Sequence, residues 1–404
     1  MFLALSGSPS PDIRKGDSQI GRTRISRSFP LQFSKITTMI RFMTAGESHG
    51  KGLTVIIDGM PAGIPISGDF INSELKKRQV GAGSGGRQQI EKDEVEILSG
   101  VRFGKTIGSP ISMIIWNKDH ENWGDKMSIE EQPDEIVESA KITQPRPGHA
   151  DLAGVQKHGF DDVRNVLERA SARETAARVA AGGIFKQYLL TKNIEIASHT
   201  LQIGDSMVDS KYSFDDVKNT YENDPEIRCV DPGKSREMKQ LIQRARIDKD
   251  TLGGVVETWA VGVSAGLGDY AQWDTKLDGL IAQAMMSIQS VKAVEIGSGI
   301  KNAENYGSEV HDEIHHNESG YFRKTNRAGG IEGGVTNGMP IVVRVYHKPI
   351  STLYKPLQTV DIQTKKTADA TVERSDICVV PRAGVVSEAM LAYVLAREMT
   401  NSTY

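Results

Sequence analysis

Cysteine is nearly absent: Cys229 and Cys378 are the only two in 404 residues, and neither sits in a CxxC or Cys/His spacing. That argues against a disulfide framework and a thiolate zinc site, fits a reducing cytoplasm, and leaves two buried or unreactive thiols. No apolar run approaches the ~20 residues that a membrane-spanning helix needs. Aromatic residues make up 6% and the formal net charge is −3. The chain therefore lacks the basic surface and stacking platforms of a general RNA or polyanion binder. Any anion site must come from local clustering of Arg and Lys. Glycine, by contrast, is plentiful, with 40 residues against a usual share of roughly 7%. Many turns and close backbone approaches follow.

The length suits one large domain or two to three average ones. Residues 1–38 stand apart in composition, with Arg14, Lys15, Arg22, Arg24, Arg27 and Lys35 against Asp12 and Asp17. Their apolar start, Phe2 to Leu5, is too short for a signal-peptide core. They are expected to be a disordered extension rather than an organellar address. Within 39–404 no fixed-period repeat and no clean linker occurs, so one α+β domain is expected.

Strands are expected at Gly52–Asp58, Val95–Ile97, Ile111–Trp116, Gly254–Val263 and Pro340–His347. A short helix is expected over Ile71–Lys77. A long helix should run from a cap at Asp161 or Asp162 to about Leu190, with an apolar stripe through Val163, Val166, Leu167, Ala170, Ala177, Val179, Ala180, Ile184 and Tyr188. On it Arg169 and Arg173 would share a face, one turn apart. Further helices are expected over Leu277–Val291, near Glu237–Ile247 within a polar, peripheral 205–250 segment, and over 387–399 at the C-terminus.

Two histidines sit among small or rigid neighbours: His49 in Ala45-Gly46-Glu47-Ser48-His49-Gly50, and His149 in Gln144-Pro145-Arg146-Pro147-Gly148-His149-Ala150-Asp151. Such surroundings offer little apolar packing and suit a proton donor beside a bound anion. His120, His158, His199, His311, His315, His316 and His347 lack them and read as structural or solvated. The adjacent pair His315-His316 is not a metal motif. Lys76-Lys77-Arg78 runs into Gly81-x-Gly83-x-Gly85-Gly86-Arg87, whose glycines would let backbone N–H groups point at one ligand. This loop is neither a dinucleotide fingerprint nor a P-loop, because no strand precedes it and no GK[ST] ends it. With Arg146, Arg173 and Arg374 it suggests a ligand bearing several anionic groups, since guanidinium forks suit carboxylate and phosphate.

These motifs occur in series with Arg169-Ala170-Ser171-Ala172-Arg173-Glu174, Gly329-Gly330-Ile331-Glu332-Gly333-Gly334-Val335-Thr336-Asn337-Gly338, Lys348-Pro349-Ile350-Ser351-Thr352 and Glu373-Arg374-Ser375-Asp376. In that order the chain resembles the chorismate synthase family over nearly all of 39–404, and Met39-Ile40-Arg41 looks like the usual start. The resemblance implies a β-α-β sandwich of antiparallel sheets with helices, assembled as a homotetramer. It implies a lyase, the last common step toward the aromatic amino acids. That enzyme uses reduced FMN to eliminate phosphate, in a 1,4 sense, from 5-enolpyruvylshikimate 3-phosphate. The alternative is another flavin-dependent lyase acting on a phosphorylated carboxylic acid. By the same resemblance Ser48, Arg78, Arg87, Arg146, Arg173 and Arg374 would hold the substrate. His49 would act as acid on the leaving phosphate and His149 would serve the flavin. Asp376 would hold the flavin N5 region or relay the ring proton. FMN would be bound by Arg169, Ala170, Ser171, Gln289, Ser290, Gly333, Lys348, Pro349, Ile350, Ser351, Thr352 and Arg374. Ser84 stands where many members carry arginine, and Gln289-Ser290 where Asn-Ala is common. No reductase domain is attached, so a separate flavin reductase is expected, with NAD(P)H only an indirect electron source.

Overall fold

In the computed structural model, residues 39–85, 91–373 and 375–401 are described. The expected extension 1–38, Arg87 and Arg374 lie outside them. The first sheet contains β1 (Arg41–Ala45), β2 (Gly52–Asp58), β3 (Val95–Ile97) and β4 (Ile111–Trp116), ordered β1-β2-β4-β3 with every pair antiparallel. The second contains β5 (Glu195–Ile203), β6 (Ser206–Met207), β7 (Gly254–Val261), β8 (Val291–Ile296) and β9 (Ile341–His347), ordered β8-β9-β7-β5-β6 and again wholly antiparallel. Between the sheets lie α1 (Gly68–Gln79), α4 (Thr175–Leu190) and α7 (Val380–Asn401). The result is an α+β sandwich with helices as filling.

Period-two alternation sets the first layer. Leu53, Val55 and Ile57 of β2, with Ile111, Met113 and Ile115 of β4, are buried and face the helices. Helix α4 is buried along nearly its whole length, so it lacks a polar face and depends on small residues for close contact. A Cβ added to Gly182 would lie 2.3 Å from the Ala389 Cβ of α7, and one on Gly183 would lie 3.0 Å from Ile71 Cγ1 of α1. Glycine there lets three helices meet nearly backbone to backbone. Their common core joins both sheets through Phe185, Leu75, Leu391 and Val343.

The long helix anticipated from Asp161 is broken. The structure has α2 (Asp151–His158), α3 (Arg164–Ala170), an extended Ser171 at φ −62°, ψ 142°, a short 3-10 turn at Ala172–Glu174, and only then α4. Ser171 turns its hydroxyl onto the backbone N–H of Arg173, a local bond that competes with helix continuation. The apolar stripe spans the break because both helices pack inward, so periodicity alone does not reveal it. Helix α6 (Leu277–Met286) likewise stops short of Val291, where Ser290 adopts φ +70° before β8 begins. The C-terminal helix starts earlier than anticipated, at Val380. The polar 205–250 segment is integrated rather than peripheral. Its helix α5 (Pro232–Ile247) buries Met238 and Ile242 against Leu201, Ile203 and Val255 of the second sheet.

Candidate active site

Strand β1 is followed by Gly46, whose φ of +104° no other residue adopts comfortably. The following turn is held by Asn117, whose amide Nδ2 donates to the carbonyls of Glu47 (3.1 Å), Ser48 (3.3 Å) and Gly50 (2.8 Å). The backbone N–H of Ser48 reaches Glu168 O at 3.0 Å, tying the turn to α3. His49 is thereby fixed with its N–H 2.9 Å from Glu168 Oε2 and its ring Nδ1 2.9 Å from Glu168 Oε1. Trp123 stacks on the imidazole with ring centres 3.9 Å apart. Arg164 covers the same indole at 5.1 Å and donates to Glu168 Oε1 at 3.1 Å. Burial alone would raise the Glu168 carboxyl, but the hydrogen bonds and charge of His49 and Arg164 hold it below its ordinary value.

His149 repeats the arrangement. Its Nδ1 is bonded to Asp151 Oδ1, and the Arg146 guanidinium grips the same carboxylate through Nε (2.8 Å) and NH2 (3.1 Å). Arg146 NH1 continues to Thr352 Oγ1 at 2.9 Å. Burial would push Asp151 up; His149 and Arg146 instead hold it well below the carboxylate range. In both couples the carboxylate fixes one ring nitrogen and leaves Nε2 for proton exchange.

The arginines arrive through the helix break. Arg173, in the 3-10 turn, places NH1 2.7 and 2.8 Å from the two oxygens of Asp93, and Nε and NH2 3.0 and 2.8 Å from Asn117 Oδ1. Arg78, in the last turn of α1, donates to Thr175 Oγ1 (2.8 Å) and Ala172 O (3.0 Å), with Asp93 3.4 Å away. Burial and its neighbours Arg173 and Arg382 pull Arg78 down to about 10, partly offset by Asp93. It remains charged at neutral pH. These guanidiniums are pre-oriented by carboxylates rather than waiting unpaired.

His49, Trp123, Arg146, His149, Arg173 and Arg78 border one cavity of about 410 Å³, within the ordinary range for small-molecule sites, and Glu168, Asp151, Asp93 and Asn117 hold them from behind it. Ser48, His49, Arg78, Arg146, His149, Ala170, Ser171, Arg173, Gln289, Ser290, Lys348, Ile350, Ser351, Thr352 and Asp376 all line it. Among the described lining residues, five cations (Arg78, Arg146, Arg173, Lys348, Arg382) face three carboxylates (Glu91, Glu373, Asp376). Behind them Asp93 and Asp151 offset part of that charge, so anion recognition rests on the oriented guanidinium forks rather than on net charge. Gly85, Glu373 and Ser375 also border the cavity, so the chain on the near side of Arg87 and on both sides of Arg374 reaches it.

Some expected residues are elsewhere. Arg169 does not line the cavity and shares no face with Arg173, because the helix break separates them; it donates to the carbonyls of Gly46 (3.0 Å) and Thr44 (2.9 Å). It acts on the His49 turn from outside. Gly333 lies exposed between the paired strands Ile331–Glu332 and Val335–Thr336, not on the cavity wall. Pro349 is not in the wall either, though both its neighbours are.

Other residues escaped the sequence reading. His347, taken as structural or solvated, lines the cavity beside Ser290, whose Oγ is 2.9 Å from its Nδ1. Burial pushes its imidazole down to about 4. Its Nε2 and the Oε1 of Gln289 are buried polar atoms with no partner in this structure. Glu168, Asp151, Trp123 and Asn117 position the histidines, and Arg382 reaches the cavity from the first turn of α7. For Glu168 and Asp151 a signal existed, since each sits within two residues of a motif already singled out. For Trp123, Asn117 and Arg382 no local pattern marks the role.

The geometry agrees with the comparisons to known proteins. The sequence model of the family described as "Chorismate synthase" matches residues 40–400. The chain belongs to the chorismate synthase family. It is 53% identical over 360 residues to the chorismate synthase of Listeria welshimeri, covering 88% of this chain and 92% of that one. It is 54% identical to those of Sulfurihydrogenibium sp., over 368 residues and 89% and 93% of the two chains, and of Aquifex aeolicus, over 366 residues and 88% and 92%. A solved structure titled "Crystal Structure of Chorismate Synthase" superposes with a TM-score of 0.71 at 43% identity, covering 90% of this chain and 93% of that one. The family is one of lyases, and the sandwich fold is common to it. Among the described residues no helix is long and apolar enough to cross a membrane.

Proposed function

We propose that the chain eliminates phosphate from 5-enolpyruvylshikimate 3-phosphate, in a 1,4 sense and with reduced FMN, to give chorismate. The observation that carries the reading is the meeting of two carboxylate-held imidazoles and an arginine cluster at one cavity. The substrate bears two carboxylates and a phosphate, and Arg78, Arg146 and Arg173 provide planar forks fixed in advance. His49 Nε2 delivers a proton to the departing phosphate. The Glu168 carboxylate steadies the imidazolium before transfer and holds the ring's orientation after it. His149, held by Asp151, manages the proton balance on the opposite couple.

The residues fit a flavin. The wall formed by Ala170, Ile288, Ile350, Val379, Ala383 and Val386 is apolar, while Lys348, Ser351 and Thr352 supply a cation and two hydroxyls for a phosphate. Gln289 Oε1, without a partner in this structure, would be the acceptor available to a donor on a bound ring. Reduced FMN supplies electron density to a carbon–oxygen bond whose departure bases alone assist poorly, since the hydrogen lost is unacidic. Ser171, Ala170, Gln289, Ser290 and the Lys348–Thr352 run hold it. Arg374, Arg87, Gly333 and Arg169 are kept from the family pattern as contributors, Arg169 acting through the His49 turn.

Assembly as a homotetramer is supported by the outer face of the first sheet. There Met43, Ile56 and Trp116 share one side and are 72%, 49% and 54% exposed, an apolar surface that a second copy would cover. We assign flavin reduction to a separate reductase and the enzyme to the cytoplasm. The test is anaerobic phosphate release from the shikimate ester with and without reduced FMN. Release that requires flavin is expected. Release that ignores flavin points to another lyase, and no release ends the reading.

A further inference from the structure

In the loop after α1 the Gly85 amide is turned onto a carboxylate of this chain rather than offered to a ligand. The Gly85 N–H donates to Asp376 Oδ1 at 2.7 Å, and the Ala82 N–H to Glu226 O at 2.7 Å. A Cβ added to Gly81 would lie 2.7 Å from Arg382 Cγ, one on Gly83 2.9 Å from the Cys378 nitrogen, and one on Gly85 2.6 Å from Ser375 O. Alternate glycines of this turn therefore press against the segment from Ser375 to Arg382 at distances a side chain would not allow. The Ile377 N–H completes the seam by donating to Gly83 O at 2.7 Å, and the Ser84 hydroxyl closes the turn onto Gly81 O at 2.6 Å.

Arg382 is the residue this seam turns on. It projects from the first turn of α7, lies along Gly81, and forms an ion pair with Asp376 while only 6% exposed. Both Asp376 oxygens are thus engaged, Oδ1 by the loop amide and Oδ2 by the guanidinium. We propose that Arg382 and Asp376 form a clamp that docks the Gly-rich loop against α7 and so sets the anion-binding wall of the cavity. In this arrangement Arg382 is a positioning residue, acting on the wall through Asp376. Its catalytic consequence rests on the lyase reading above; its structural core does not.

Hydrogen exchange on the full-length protein without ligands tests that core. Arg382→Gln should speed exchange of the Gly85 amide about 10-fold or more, the loss expected for one charge-assisted contact. Arg382→Lys should restore most of the protection, and amides of α7 beyond Val386 should keep theirs, which shows that the variant is folded. Asp376→Ala should match Arg382→Gln, and the double variant should be no worse than either single one. With the shikimate ester, Arg382→Gln should raise KM about 10-fold and leave kcat within about 3-fold. Wild-type exchange in Arg382→Gln, or additive effects in the double variant, would overturn the clamp. If the wild type releases no phosphate, the lyase reading fails, yet the exchange result still decides the clamp.

Discussion

His347 offers a titration whose size follows from its surroundings. The ring is 5% exposed, shares one nitrogen with the Ser290 hydroxyl and has no partner for the other. Protonation would put a cation out of reach of water, and burial accordingly pushes the imidazole down to about 4, only partly offset by a hydrogen bond to the Gln289 backbone. A group that resists protonation only when folded adds stability above its unfolded pKa of ~6.5, and that contribution drains away as pH falls toward 4. Linkage between those two values gives a loss of about 2–3 kcal/mol at pH 4.5 relative to pH 7. Urea unfolding of the wild type and of His347→Gln at both pH values isolates it, since the carboxylates titrate alike in the two proteins. The wild type should lose about 2–3 kcal/mol more than the variant between pH 7 and 4.5. Equal losses would refute the assignment, and with it the claim that His347 is a neutral wall rather than an acid at working pH.

Two further perturbations probe the His49 couple and the core. Glu168→Gln keeps a hydrogen-bond acceptor for His49 but removes the charge that stabilises its protonated form; turnover should fall about 100-fold with substrate KM little changed, measured by phosphate release at saturating flavin, and an unchanged rate would retire the couple. Lys186, buried on α4, bridges Glu74 and Glu388. Burial would raise the Glu74 carboxyl, but Lys186 and Lys77 hold it down to about 2. Lys186→Met strands two buried carboxylates and should cost about 3–5 kcal/mol at pH 7 by urea unfolding. Because Lys186, with Lys77, keeps Glu74 depressed in the folded protein, the wild type should lose this contribution as pH falls from about 4.5 toward 2.

What was legible in the chain depended on whether one residue's role could be stated from its neighbours. Strands β2, β3 and β4 were anticipated to the residue because alternation and flanking turns are local signals. The histidine motifs were legible because glycine and proline around an imidazole leave little else for it to do. The break at Ser171 was not, since both helices bury the same kind of face and only a hydroxyl's bond to one amide separates them. The same limit explains the Gly-rich loop. Three glycines at alternate positions suit an anion nest as well as a backbone seam, and which they form depends on a segment nearly 300 residues away, with Asp376 and Gly85 separated by 291 positions. Arg382 was invisible for that reason: in sequence it is one cation at a helix start, where positive charge is if anything disfavoured by the helix dipole. Its placement there makes sense only once Asp376 and the loop are beside it, because the carboxylate then compensates both the dipole end and the guanidinium. Function in this cavity is therefore carried less by the motifs themselves than by the carboxylates and amides that hold them: Glu168 for His49, Asp151 for His149, Asp93 for Arg173. A substitution that spares every motif can still disarm the site by releasing one of these partners.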